Sequence, residues 1–123
     1  MPWLHEHQSE KRVEIDLHGY SLVSAEEVAL VKVREAYDNG FPRITFIHGW
    51  STARQVYELE PPGTIKHLLR SMLKRGEFEP YAYTWRNRGH LRSNASLTIA
   101  LRSSPEPLEQ PFWSALPPAE YDH

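Results

Sequence analysis

A chain of 123 residues with a formal net charge of -2 and no cysteine fits one domain with tails, long enough to bury a core without staples. The missing cysteines exclude disulfides, thiolate metal sites and cysteine nucleophiles. No run approaches the roughly 18 apolar residues of a membrane span, and the start Met1-Pro-Trp-Leu-His-Glu-His7 lacks the basic end and apolar run of a secretion signal, so a cytoplasmic location is expected.

Residues 1–12 are polar and aperiodic and predict a flexible or loosely docked lead-in. His5-Glu-His7 within it is at most an incidental metal site, because a mobile terminus holds no geometry. Val13-Glu-Ile-Asp-Leu17 alternates apolar and acidic residues, which predicts a strand. Ser24 with Glu27 has the spacing of a capping box. A helix is expected from there to Asp38 on a stripe of Leu22, Ala25, Ala29, Val33 and Ala36. Asn39-Gly40 stops it, and Pro42 forbids continuation. The short apolar run Ile44-Thr-Phe-Ile47 predicts a strand covered on both faces. Strand, helix, strand over this length is a βαβ unit with a right-handed crossover.

A long connection from Thr52 to Gly63 leads to a second helix opening near Thr64. Its stripe is Ile65, Leu68, Leu69, Met72 and Leu73, and Lys74-Arg75-Gly76 closes it. Two more strands are expected at about Pro80–Arg86 and Ala95–Arg102, with a polar loop from Asn87 to Asn94 between them. Tyr81, Tyr83 and Trp85 alternate along the first and are expected to pack in the core. From Ser103 the chain holds five prolines and four acids, which predicts a mostly irregular tail, dispensable for folding, that Phe112-Trp113 could pin to the body. The expected fold is α/β: a β-α-β-α-β-β two-layer sandwich with a mixed four-stranded sheet and two helices. The domain spans 13–102, the lead-in 1–12 and the tail 103–123.

Charge is unevenly placed. Residues 43–102 hold ten Lys/Arg against four Asp/Glu, whereas 1–42 hold four against eight, and 103–123 hold four acids and no Lys/Arg. A basic middle between acidic ends points to an anionic partner. Lys66, Arg70 and Lys74 step four apart along one helix, and Arg86, Arg88, His90 and Arg92 crowd one loop. Fixed positive charges of this kind suffice for phosphate contacts.

Both strands of the βαβ unit end alike, in His18-Gly-Tyr-Ser21 and His48-Gly-Trp-Ser51. Ligands of open parallel sheets sit beyond the carboxyl ends of the strands, and neighbouring strands lie about 4.8 Å apart. Both rings are therefore expected at one edge, within reach of one phosphate. Asp16 and His18, two apart, share one side of the strand. The carboxylate can orient the ring or raise its basicity. Gly19 and Gly49 let backbone approach a ligand closely.

Asp16-Leu-His-Gly19, an amphipathic helix and a short strand ending His48-Gly49 resemble the Smr family over about residues 13–102. These small nicking or RNA-cleaving domains occur alone and at the end of anti-recombination MutS-type proteins, which implies a DNA-repair setting. Their fold is similar to the C-terminal domain of a bacterial translation initiation factor. The resemblance implies that Asp16 and His18 serve cleavage and that His48 and Gly49 belong to a loop contacting substrate. The family often continues His-Gly-basic-Gly, whereas Trp50-Ser51 stand here. Trp50 could stack on an unpaired base instead.

Taken together, the residues predict a nucleic-acid endonuclease that nicks DNA or cleaves RNA. Asp16, His18 and His48 are the catalytic candidates. The substrate-binding candidates are Gly19, Gly49, Trp50, Ser51, Arg54, Lys66, Arg86, Arg88, His90 and Arg92. A participating metal would be Mg2+ or Mn2+ on Asp16 and substrate oxygens. The rival reading is a non-catalytic nucleic-acid-binding module on the same fold, which the altered His-Gly-Trp-Ser loop favours.

Overall fold

The computed structural model describes residues 2–7, 11–49 and 64–121. Strands β1 (Leu4–His7) and β2 (Arg12–Asp16) are followed by helix α1 (Leu22–Asp38) and strand β3 (Arg43–Ile47). Helix α2 (Ile65–Lys74) and strands β4 (Leu91–Arg92) and β5 (Ser96–Ala100) complete the order. One mixed sheet results, ordered β1-β2-β3-β5-β4. Only β2 and β3 run parallel, in register Val13↔Ile44 and Asp16↔Ile47. The helices touch each other, with α1 over β3 and α2 over β5, so both cover one face. Val13, Ile15 and Leu17 from β2 and its end, Ile44 and Phe46 from β3, and Leu97 and Ile99 from β5 are fully buried in one cluster with Ala29, Val33, Leu69 and Met72. The period of two in the strands and the helical stripes thus meet in a single core.

The sheet has five strands among the described residues, not the expected four. Leu4–His7 is not a loose lead-in: it pairs antiparallel with β2, Leu4 opposite Ile15. The expected strand at Pro80–Arg86 does not form. Tyr81 and Ala82 N–H donate locally to Phe78 O, Tyr83 N–H reaches Ala100 O of β5 at 3.1 Å, and Pro80 has no N–H to give. Only an isolated bridge, Ala82↔Leu101, remains. The neighbour of β5 is instead β4, from within the expected polar loop. Of the three alternating aromatics, Tyr81 packs against the core, but Trp85 is 43% exposed.

The cap of α1 also differs from expectation. Ser21, not Ser24, is the N-cap, its Oγ accepting from Ser24 N–H at 3.2 Å. The carboxylate of the capping box comes from 99 residues away. Glu120 Oε1 accepts from Ser21 N–H (3.0 Å), and Oε2 accepts from the hydroxyls of Ser21 (2.8 Å) and Ser24 (2.6 Å). These contacts hold the Glu120 carboxyl down at about 2.

Glu120 ends a tail that is irregular, as expected, yet docked along the whole of α1. Leu108 N–H donates to Asp38 O, and Asn39 exchanges two bonds with the Phe112 backbone. The Tyr20 hydroxyl donates to Pro117 O. Lys32, 1% exposed, donates to Glu35 Oε1 (2.8 Å) and to Ser114 Oγ (3.0 Å). Burial pushes the Glu35 carboxyl up, but bonds from Lys32 and Ser114 and the Lys32 charge outweigh it and leave it lowered. Trp113 packs against the core and donates from Nε1 to Glu6 at 2.7 Å, whereas Phe112 is 61% exposed. A buried ammonium is tolerated only when paired, and Lys32 draws its partners from both Glu35 of α1 and Ser114 of the tail.

Candidate active site

The carboxyl ends of the parallel pair lie side by side. Leu17 N–H donates to Ile47 O at 2.8 Å, extending the β2–β3 ladder to the residue before His18. Gly19 and Gly49 both have φ +91, a left-handed conformation that costs other residues about 1–2 kcal/mol. That turn lets each chain leave the sheet directly after its histidine. A Cβ placed on Gly49 would lie 3.9 Å from the Cβ of His18, so the two His-Gly turns are in van der Waals reach. The structure therefore brings His18 and His48 to one sheet edge on adjacent parallel strands.

Asp16 is 5% exposed. Its Oδ1 accepts from His18 N–H at 3.0 Å, and both its oxygens lie 2.8 Å from His18 Nδ1. A carboxylate accepts only, so Nδ1 is the protonated nitrogen and Nε2 carries the lone pair of the neutral ring. His18 is 38% exposed at its side chain, so the ring joins a buried anchor to the surface. His48 is half-buried, its Nδ1 3.1 Å from Gly49 O. Tyr20 lies beneath the edge, its hydroxyl pKa raised first by burial and then by the charges of Glu120 and Asp16.

The edge continues across β5. His48 and Gly49 N–H both donate to Ala95 O, at 2.8 and 3.2 Å. Ala95 N–H donates to Ser93 Oγ (3.2 Å), and Arg70 donates to Ser93 O (3.3 Å). The turn between β4 and β5 thus joins the histidine edge to a basic surface. Arg86, Arg88 and Arg92 line a cavity there with Arg70 and Lys74. Of the remaining substrate-binding candidates, Lys66 sits in the first turn of α2, outside that cavity lining. His90 lines the cavity, but both its ring nitrogens serve the loop: Nδ1 accepts from Ala100 N–H (2.9 Å), so Nε2 donates to Thr84 O (2.7 Å). Trp50, Ser51 and Arg54 lie outside the described residues. Residue-type reasoning missed Trp85, whose place between Lys74 and the arginines was disguised by an apparent strand pattern. It also missed Glu120, for which no local signal exists.

A divalent ion on Asp16 would share its oxygens with the His18 ring. Both carboxylate oxygens already face His18 Nδ1, and no group of three His, Asp or Glu that could hold a metal occurs among the described residues. Nor is any helix among them long and apolar enough to cross a membrane.

Compared with known proteins, residues 15–100 match the model of a family described as Smr domain. The match includes both His-Gly turns and the arginine loop. Searches of curated proteins and of solved structures found no match.

Proposed function

Because the chain belongs to the Smr domain family, a nucleic-acid-binding and nuclease-type family, we propose that it is an endonuclease cleaving DNA or RNA phosphodiester bonds at the edge formed by Asp16, His18 and His48. The observation that carries this reading is the bidentate Asp16–His18 pair beside Gly49. A near-neutral base needs its tautomer fixed and its ring held, and the buried carboxylate supplies both.

In the proposed reaction the scissile phosphate sits between the two rings. His18 Nε2 removes a proton from the attacking water, or from the 2′-hydroxyl of RNA, as its oxygen bonds to phosphorus. The bond from phosphorus to the leaving oxygen breaks, and protonated His48 returns a proton to that oxygen. Asp16 stays ionised and stabilises the imidazolium formed on His18. Arg70 and Arg92, across the β4–β5 turn, neutralise flanking phosphates. No step is routed through a divalent ion.

The test is cleavage of supercoiled DNA and of structured RNA by the full chain, with and without added Mg2+. The wild type is expected to cut one of them, and His18→Ala to lower its rate about 10²–10⁴-fold, the usual worth of general acid–base catalysis. His18→Ala cutting both substrates at the wild-type rate contradicts the assignment. Binding without cleavage by the wild type favours the non-catalytic binding module.

A further inference from the structure

We propose that the cavity walled by Trp85 is a binding site for an unpaired nucleotide of the strand that is cleaved, so that the substrate class is single-stranded or locally melted nucleic acid. This rests on the nucleic-acid reading above and extends it to the form of the substrate.

The cavity measures about 420 Å³, within the range of small-ligand sites and too small for a stacked duplex. Leu73 and Leu97 give it an apolar floor. Arg70, Lys74, Arg86, Arg88 and Arg92 surround them, and among the described residues its lining holds no carboxylate. Five like charges around one concavity repel one another, and an anion there relieves that repulsion. Trp85 adds the second requirement. It is 43% exposed at the rim of this cation cluster, with Lys74 Nζ 5.9 Å and the Arg86 guanidinium 5.1 Å from its ring centre. The cations lie over the ring, and the part of the indole still open to solvent offers a stacking surface for a base beside positive charge for its phosphates. Bases inside a duplex are already stacked on their neighbours, so only an unpaired base can use that surface.

Position links this pocket to the histidines. The β4–β5 turn is hydrogen-bonded to His48 and Gly49 on one side and to Arg70 on the other. β2, which ends two residues before His18, and β4, carrying Arg92, stand three strand positions apart in the sheet, about 15 Å at ordinary strand spacing. A strand of a few nucleotides laid along this edge puts one phosphate at the histidine pair and a base further along the strand at the Trp85 cavity.

Fluorescence anisotropy with short labelled RNA and DNA oligonucleotides, each single-stranded and as matched duplex, tests this on the full chain carrying His18→Ala. Single strands are expected to bind more tightly than duplexes, and the RNA and DNA arms identify which sugar is preferred. Trp85→Ala should weaken single-strand binding about tenfold or more, the scale of one lost stacking contact. Trp85→Phe should restore most of it, and duplex binding should change little. Arg88→Gln, on an exposed side chain, gives a second reading that should also weaken single-strand binding. Single-strand affinity within about twofold of the parent in both Trp85→Ala and Arg88→Gln, with thermal melts unchanged, overturns the proposal. Trp85-dependent binding by a chain whose wild type never cleaves would refute only the nuclease assignment. Cleavage unaffected by Trp85→Ala would refute only the pocket.

Discussion

At the scale of single residues, the central feature is a carboxylate where the strand pattern would have accepted leucine. Asp16 is almost fully buried, and a buried charge is stable only when its oxygens are satisfied. His18 satisfies them from the same side of the chain, two residues on, with its amide and its ring. Gly49 is the second constraint. Its φ of +91 suits glycine, while the space at its Cβ, 3.9 Å from His18, is ordinary contact distance. Gly49→Ala should therefore cost backbone strain rather than a clash, about 1–2 kcal/mol. The expected fall in Tm is several degrees, with slower cleavage as His48 shifts. An unchanged melting curve would mean that the turn is free to take another conformation.

At the scale of elements, the periodic segments were legible and the pairings made over long distances were not. The strands at Val13 and Ile44, both helices and the last strand follow from apolar spacing alone, because each buries one face against the same core. β1 contributes little apolar surface and exists through its partner β2, which no local pattern announces. The Tyr81-Tyr83-Trp85 alternation imitates a strand, but the Tyr81 and Ala82 amides turn back to Phe78 and the pairing with the end of β5 stops at one bridge among the described residues. The box that caps α1 is completed by Glu120, invisible to any window of sequence. Truncation after Arg102 removes the Glu120 carboxylate of that box and the Ser114 oxygens around buried Lys32, leaving it Glu35 alone of the partners named above, and is expected to lower Tm sharply. An unchanged Tm would show that the tail only decorates the helix. The Glu120 carboxyl is lowered from 4.5 to about 2, so the unfolded chain binds this proton more tightly than the folded one. Its contribution is complete above pH 4.5 and is lost as pH falls from there towards about 2. Glu120→Gln should flatten that part of the acid-denaturation curve, and an identical acid limb in both proteins would exclude Glu120 as its source.

At the scale of the whole molecule, one sheet edge carries both the histidine pair and, through the β4–β5 turn, the arginine cavity. The site was legible because two copies of His-Gly at the ends of parallel strands can only converge. The cavity was half legible: the arginines announced a polyanion, but that Trp85 faces solvent among them depends on the failed strand. Phosphate-driven binding should weaken with salt, by a log–log slope of about -0.7 per contacted phosphate on single strands. A flat salt response contradicts the basic surface as the binding face. The most direct test of the central claim is a double-mutant cycle on single-turnover cleavage, using Asp16→Asn, His18→Ala and the double variant, with melts and oligonucleotide affinity measured alongside. If the pair acts as one catalytic unit, each single variant loses nearly all cleavage while folding and binding persist, and the double variant loses little more than His18→Ala alone. Cleavage within about threefold of wild type in both single variants, far short of the 10²–10⁴-fold that acid–base catalysis supplies, would contradict it.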